Sequence, residues 1–169
     1  MGTLMNHDVP YLLVDTNVWI SSYLPLRPGH DEAMEFFATA RRYGAKLVYA
    51  ATSIRDVFYI CGRTLKEQAR DADGVLSQAD AQGIQKICWG IVDNMRDMGT
   101  AVGVDEADVW QAAKLRNLHG DLEDNFVRVA AARAKADVIV TWDRGLLAKA
   151  ISATLTPGDA RSWLEATCG

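Results

Sequence analysis

The chain has 169 residues, of which 49% are hydrophobic and 24% are charged, a balance typical of one globular domain and not of a disordered chain. Its formal net charge of −4 gives no overall attraction for a polyanion, so a nucleic-acid substrate would need a local basic rim or metal ions. The three cysteines form no CxxC pair, which argues against a disulfide framework or a zinc site and suits a reducing compartment. The three histidines (His7, His30 and His119) lie far apart, which argues against a histidine metal site.

We expect no export signal or membrane span in the N-terminal region. The first residues, MGTLMNHD, lack the basic start and the apolar core of a signal peptide. Asp15 interrupts the first apolar run, so no stretch of about 20 residues could cross a membrane. We therefore expect a soluble, cytoplasmic protein that does not bind a membrane.

Short apolar runs alternate with longer amphipathic stretches along the chain, which predicts an α/β fold with a mainly parallel sheet. The predicted strands, in chain order, are Tyr11–Val14, Lys46–Ala50, Ala101–Val104 and Val138–Thr141. Helical spacing predicts helices over AMEFFATARRY, SIRDVFYICGRTL, Ala81–Met98, Asp105–Leu115, DLEDNFVRVAAARAKA and the segment after Pro157. The polar residues Asp71–Asp80 could form a loop.

Acidic residues recur where these predicted strands end. Asp15 ends the first strand, Asp56 lies one turn into the helix after the second, and Asp143 closely follows the last. Asp124 lies in the first turn of the helix that precedes the last strand. Because the carboxyl ends of parallel strands meet at one edge of a sheet, these acids can converge on one pocket.

Each acid also has a purely local interpretation. Ser53 and Asp56 fit a capping box, and Asp121 fits the N-cap of a helix. Asp15 could cap the helix that follows it, and Asp143 could lie in a turn. Taken together, however, several carboxylates around one cavity repel each other unless a cation neutralises them. Oxygen ligands without Cys or His partners favour Mg²⁺ or Mn²⁺, which suit phosphodiester hydrolysis.

Four blocks of the sequence, in this order, resemble a PIN domain: LLVDTNVWI, the S-x-x-D of Ser53–Asp56, DLED before an Ala-rich helix, and VIVTWD followed by Arg-Gly. The resemblance extends from about Tyr11 to Leu164 and includes LTPGDA near the end. It implies a Rossmann-like α/β/α sandwich, with residues 1–169 as a single PIN domain and a helical insertion at about 65–98. It also implies Mg²⁺ or Mn²⁺ as the cofactor.

The resemblance assigns a metal-binding and catalytic role to four acids: Asp15, Asp56, Asp124 and Asp143. The second of them is usually Glu in the toxin branch of the family, whereas a branch with a T-D-x-Y-Y-like helix has Asp. Because Asp is one methylene shorter than Glu, its reach toward a metal is shorter.

Polar and basic neighbours complete the predicted site. Three residues could orient the acids or a ligand water, namely Asn17, Thr141 and Asp121, although local turn bonds or a helix cap would explain them equally well. Three arginines are close in sequence to the predicted acids and could rim the pocket and hold phosphates: Arg27, Arg55 and Arg144. Each of them could equally be an ordinary surface residue. Trp142 could stack on a base, whereas Trp19 fits the core or a dimer interface.

These patterns favour a Mg²⁺- or Mn²⁺-dependent endoribonuclease. Many bacterial PIN domains are VapC-type toxins, so the resemblance implies a toxin with an RNA substrate, a cognate antitoxin and a homodimeric state. A housekeeping RNA-processing nuclease is the nearest variant. A catalytically weak or inactive PIN-like module that binds RNA or protein is the main alternative. A phosphoryl-transfer enzyme with an aspartyl nucleophile fits less well, because the D-x-D-x-T pattern of such enzymes is missing after the first strand.

Overall fold

The computed structural model describes residues 8–118, 120–148 and 153–169. The strands are β1 (Tyr11–Val14), β2 (Lys46–Ala50), β3 (Gly99–Val102), β4 (Val138–Val140) and β5 (Thr154–Leu155). The helices are α1 (Thr16–Tyr23), α2 (His30–Arg42), α3 (Ala51–Asp73), α4 (Gln78–Met98), α5 (Glu106–Lys114), α6 (Leu122–Ala134), α7 (Arg144–Ala148) and α8 (Pro157–Cys168). A 3₁₀ turn, Leu115–Asn117, follows α5. Within the described ranges, no helix is both long and apolar enough to span a bilayer.

The described strands form one sheet in the order β3-β2-β1-β4-β5, and all of its pairings are parallel. The prediction of an α/β fold with a mainly parallel sheet is therefore confirmed. The chain moves from β1 to β2 and β3 on one side, then crosses to β4 and β5 on the other. The strand order thus reverses between β1 and β4, and this switch point is where open parallel sheets bind ligands, outside the carboxyl ends of the strands.

Alternate residues of each strand face opposite layers of the molecule. Leu12 and Val14 of β1 join a core with helices α1 to α4 and α8. Leu13, between them, joins a second core with α6 and α7. Since side chains of a strand alternate between faces, the continuous apolar run LLV is the pattern expected for a strand covered by helices on both sides. The result is an α/β/α sandwich.

Helices α3 and α4 form a long hairpin on the first face. The predicted loop over Asp71–Asp80 is confirmed only for residues 74–77, and the residues on either side are helical. Gly74 ends α3 in a left-handed conformation, and Ser77 caps α4 three residues later. Ser77 and Asp80 form a capping box. Close packing of the two helices depends on Gly62, where an added Cβ would lie 3.2 Å from the Cys88 Sγ.

Candidate active site

The first predicted acid, Asp15, lies at the switch point between β1 and β4. The Asp15 backbone N–H donates to the Val140 carbonyl at 3.0 Å, so the ends of the two strands are joined directly where the chain leaves the sheet. Beyond this point β1 turns into α1, and β4 turns into the segment Thr141–Asp143 that precedes α7.

Asp15 is the N-cap of α1 and is buried, with 7% of its surface exposed. One carboxylate oxygen, Oδ1, accepts the Thr16 backbone N–H at 2.7 Å. The other, Oδ2, accepts the Asn17 Nδ2 at 2.7 Å and the Thr141 hydroxyl at 2.6 Å. These three hydrogen-bond donors explain why a carboxylate can lie at the end of a buried strand.

The Thr141 hydroxyl links the two strand ends. Besides donating to Asp15, it accepts the Asn17 Nδ2 at 3.1 Å and the Asp143 backbone N–H at 2.9 Å. Thr141 is fully buried. The arrangement holds Asn17 and Thr141 against the Asp15 carboxylate, the geometry required of residues that orient it.

The environment of Asp15 opposes its ionisation. Burial is the largest effect and raises the pKa of Asp15 to about 6, although the hydrogen bonds from Thr141 and Thr16 lower it. The negative charges of Glu123 and Asp124 raise it further. Acids at the start of α6 are therefore close enough to the end of β1 to repel its carboxylate.

The first turn of α6 brings a group of acids to the same edge of the sheet. Asp121 is the N-cap of α6, and its Oδ1 accepts the Glu123 N–H at 2.8 Å and the Asp124 N–H at 3.3 Å. Asp124 follows in the first turn, half-buried. The local interpretation of Asp121 as a cap is therefore confirmed, and the same turn holds three carboxylates together.

Glu123 couples the acids of α6 to α3. Its pKa is raised by partial burial and by the charge of Asp56, with smaller effects from Asp121 and Asp124. The helical spacing of the sequence predicts a Glu123 side chain that points away from the site. It is exposed to solvent as predicted, but it also interacts with the acids on both sides.

Asp56 lies on α3 and is half-buried beside Arg55, whose Nη2 is 3.0 Å from the Asp56 Oδ1. The predicted capping box of Ser53 and Asp56 is wrong, because α3 begins at Ala51 directly after β2 and Ser53 lies inside the helix. The Ser53 Oγ instead accepts the Thr16 hydroxyl at 2.9 Å, which ties α3 to α1 beneath the site.

Asp143 is adjacent to Thr141 but is engaged with α7. Its Oδ1 accepts the Gly145 N–H at 2.6 Å and the Leu146 N–H at 3.0 Å, so it starts that short helix. Arg144 is exposed at the first position of α7.

Arg27 lines a cavity of about 500 Å³ that adjoins the site, together with Asn17 and Trp142. Trp142 is half-buried there and packs on the backbone of Gly29. Trp19, by contrast, is fully buried in the core.

The donor chemistry of the site fits a hard divalent cation, since all the candidate ligands are carboxylates and they repel each other. The distances are not those of a formed metal site: among the described residues, no three His, Cys, Asp or Glu side chains are grouped closely enough to hold an ion. His7 and His119 lie outside the described residues. A bound ion would have to draw the acid side chains together.

A family model described as PIN domain matches residues 11–145 of the chain. The chain belongs to the PIN domain family. The matched segment runs from the first residue of β1 into α7 and therefore includes all four predicted acids. PIN domains are generally nucleases, and this places the chain in a family of hydrolases.

Two solved structures resemble this PIN domain in fold. The crystal structure of FitAcB from Neisseria gonorrhoeae has a TM-score of 0.56 at 20% sequence identity, and the match covers 86% of this chain and 97% of the other. VapBC2 from Rickettsia felis, bound to a DNA fragment from their promoter, has a TM-score of 0.53 at 10% identity over 86% of this chain and 98% of the other. No protein with a curated description matches this chain in sequence.

Proposed function

We propose that this PIN domain is a Mg²⁺- or Mn²⁺-dependent endoribonuclease that acts as the toxin of a toxin–antitoxin pair. The observation that carries the proposal is the buried Asp15 at the switch point, with the acids of α3 and α6 close enough to raise the pKa of Asp15 or of Glu123. Burying one carboxylate and placing others close to it is energetically unfavourable, because they repel each other. Such an arrangement is suited to bind a cation that neutralises the carboxylates.

The ligands we assign are the four predicted acids, Asp15, Asp56, Asp124 and Asp143, and Glu123 is a fifth acid within their electrostatic reach. A bound cation would supply the positive charge that activates water and stabilises the leaving oxygen. The protein's own part is to hold Asp15 at a fixed angle through Thr141 and Asn17.

The proposed reaction is hydrolysis of a phosphodiester. The oxygen of water forms a bond to phosphorus, the bond from phosphorus to the leaving oxygen breaks, and one proton passes to that oxygen. The products are a phosphate monoester and a hydroxyl group. Arg27 and Arg144 are exposed near the site and would hold phosphates of the RNA, and Arg55 would do so once it releases Asp56.

The partners in the proposal are an RNA substrate, a cognate antitoxin and a second copy of this chain. Support for the antitoxin comes from the PIN-domain motifs of the sequence and from the likeness of the fold to VapBC2 and FitAcB. The free thiols of Cys61, Cys88 and Cys168 agree with a location in the cytoplasm.

The test is cleavage of single-stranded and structured RNAs by the purified protein with Mn²⁺, Mg²⁺ or EDTA. Asp15→Asn keeps the shape of the side chain and removes its charge. Asp97→Asn is a matched control, since Asp97 of α4 is exposed and lines a cavity with Lys46, which begins β2 at the end of the strand away from the acids. We expect metal-dependent cleavage by the wild type and by Asp97→Asn, and at least a hundredfold loss in Asp15→Asn. Cleavage that persists in EDTA or in Asp15→Asn would contradict the proposal.

One observation favours a second candidate, a PIN-like module that binds RNA or protein without cutting. The described acids are not grouped at metal-binding distances, and Asp143 is already committed to the start of α7. Such a module would bind Mn²⁺ only weakly, so a lack of both cleavage and metal binding would select it.

A further inference from the structure

One exposed face of α3 carries a basic stripe of four cations and one tyrosine. Arg55, Tyr59, Arg63, Lys66 and Arg70 follow one another at intervals of three or four residues and are all exposed. This spacing places them on the same side of the helix. At 1.5 Å per residue the stripe is about 22 Å long. It is a local basic surface on a chain whose net charge is −4.

A groove runs between this stripe and α4. Its larger part has a volume of about 770 Å³ and is lined by three cations of the stripe, Arg63, Lys66 and Arg70, together with Phe58 and Gln85 among others. Among the described residues that line it, there is no carboxylate. The groove therefore has the charge that a chain of phosphates requires. We call it the α3–α4 groove.

Aromatic rings occupy the end of the groove nearer the acids. Phe58 packs edge-on against Tyr59 at 5.3 Å and against Trp89 at 5.1 Å between ring centroids. Tyr59 is 67% exposed and Trp89 is 56% exposed, so their faces remain open to a ligand. These rings line a second cavity of about 230 Å³ that continues the groove to Arg55.

The groove leads to the candidate active site. Arg55 forms an ion pair with Asp56, and the charge of Asp56 acts on Glu123 of α6. A ligand that lies along the stripe would therefore meet the acids of α3 and α6 at one end.

We propose that the α3–α4 groove binds a single-stranded segment of the RNA substrate that continues from the phosphate to be cut. Phosphates contact Arg63, Lys66 and Arg70, and unpaired bases stack on Tyr59 and Trp89. The strand is single because only unpaired bases expose faces on which such rings can stack. This inference rests on the proposed nuclease function and specifies how its substrate is held.

The experiment measures the affinity of a labelled single-stranded RNA of about 10 nucleotides, a length within the range that one such groove tracks. EDTA is present, so that binding is measured without cleavage. One variant combines Arg63→Gln, Lys66→Gln and Arg70→Gln. The control combines Arg41→Gln, Arg42→Gln and Lys46→Gln, which removes the same charge from exposed positions at the end of α2 and the start of β2.

We expect the groove variant to bind more weakly than the control, and its affinity to depend less steeply on the salt concentration. Each phosphate contact contributes about 0.7 to the slope of log affinity against log salt for a single strand, so three lost contacts reduce the slope by about 2. Tyr59→Ala and Trp89→Ala should each weaken binding about tenfold without changing that slope. Thermal unfolding of every variant checks that it is folded.

Equal affinities and slopes for the groove variant and the control would overturn the inference. A second result would also overturn the inference: the wild type is dimeric by sedimentation, and Tyr59→Ala or Trp89→Ala is monomeric but binds RNA with unchanged affinity. The surface would then be a protein interface. Cleavage of the same RNA with Mn²⁺ is measured in parallel. If the RNA is cleaved normally but its affinity does not depend on the groove residues, only the proposed role of the groove is refuted. If its affinity depends on the groove residues but no RNA is cleaved, the proposed nuclease function is refuted.

Discussion

At the scale of single residues, Asp15 combines two opposing conditions. Burial favours its neutral form, while donors from Thr16, Asn17 and Thr141 favour its charged form. Burial dominates, and the pKa rises to about 6. Without a cation, the folded structure therefore disfavours the charged form of the Asp15 carboxyl group.

This pKa gives the first prediction, a pH-dependent stability. Because the pKa in the fold, about 6, lies above the ordinary 3.8, the contribution of Asp15 is fully present below about pH 4 and is lost as the pH rises through 6. The difference corresponds to about 3 kcal/mol. In urea unfolding with EDTA, the gap in free energy between wild type and Asp15→Asn should change by about that amount between pH 4 and pH 7. A gap that does not vary with pH would contradict the raised pKa.

Thr141→Val is the second prediction. It removes a buried hydroxyl that donates to Asp15 and accepts from Asn17 and the Asp143 backbone. The loss should reduce the free energy of unfolding by about 1–3 kcal/mol and raise the pKa of Asp15 further. Thr100→Val is the control, because Thr100 is exposed on the edge strand β3 and should change stability by less than about 0.5 kcal/mol. Similar effects of the two substitutions would show that the Thr141 bonds contribute nothing.

The sequence predicts the residues that act close to their own position in the chain. Asp15 can be identified because it ends a predicted strand, whereas Asn17 and Thr141 are identified because they match polar positions of the PIN motifs; the contact between Thr141 and Asp15 itself joins residues 126 positions apart. Ser53 is misassigned as a cap, because α3 begins without an intervening loop. The role of Glu123 depends on the distance between α6 and α3, which helical spacing within α6 cannot provide.

At the scale of elements, the start of α2 depends on its contact with the segment after β4. Gly29, the N-cap of α2, has φ = 83°, and an added Cβ would lie 2.8 Å from the Trp142 ring. Gly44 has a similar φ of 65°, but a Cβ added there would meet no atom within 4 Å. The two glycines share a left-handed backbone conformation, but only Gly29 lies against the Trp142 ring.

Gly29→Ala and Gly44→Ala therefore form the third prediction as a matched pair. Gly44→Ala should reduce the free energy of unfolding by about 1–2 kcal/mol through its left-handed backbone alone. Gly29→Ala should cost a further 1–3 kcal/mol, approximately, since the Trp142 ring must move. Denaturant unfolding measures both values. Equal losses would mean that Trp142 does not pack on Gly29.

The sequence predicts the end of a helix or strand where a local cap fixes it, but not where pairing with another strand fixes it. β3 begins at Gly99, two residues before the predicted Ala101, because a residue without a side chain can approach the Leu47 carbonyl of β2. β5 is missing from the predicted strands, since its two residues are too few to show a period.

At the scale of the whole molecule, the alternation of strands and helices predicts the α/β class but not the strand order. The order β3-β2-β1-β4-β5 depends on contacts between distant parts of the chain. Only the resemblance to a PIN domain anticipates the sandwich. That order sets β1 beside β4, and so brings Asp15 and Thr141 together across 126 positions of the sequence.

Metal binding should also stabilise the whole fold, which is the fourth prediction. A ligand that binds only the folded state at a hundred times its Kd adds about 2.7 kcal/mol to the free energy of unfolding. Mn²⁺ should therefore raise the Tm of the wild type, and EDTA should reverse the change. A Tm that does not respond to Mn²⁺ would mean that the folded state binds the ion no better than the unfolded chain does.

The central claim is that the acids at the switch point bind a divalent cation, and calorimetric titration with Mn²⁺ tests it most directly. We expect saturable binding by the wild type and by Asp97→Asn, and at least tenfold weaker binding by Asp15→Asn, which lacks the charge of one ligand. The same affinity for all three proteins, or no binding by any of them, would contradict the claim.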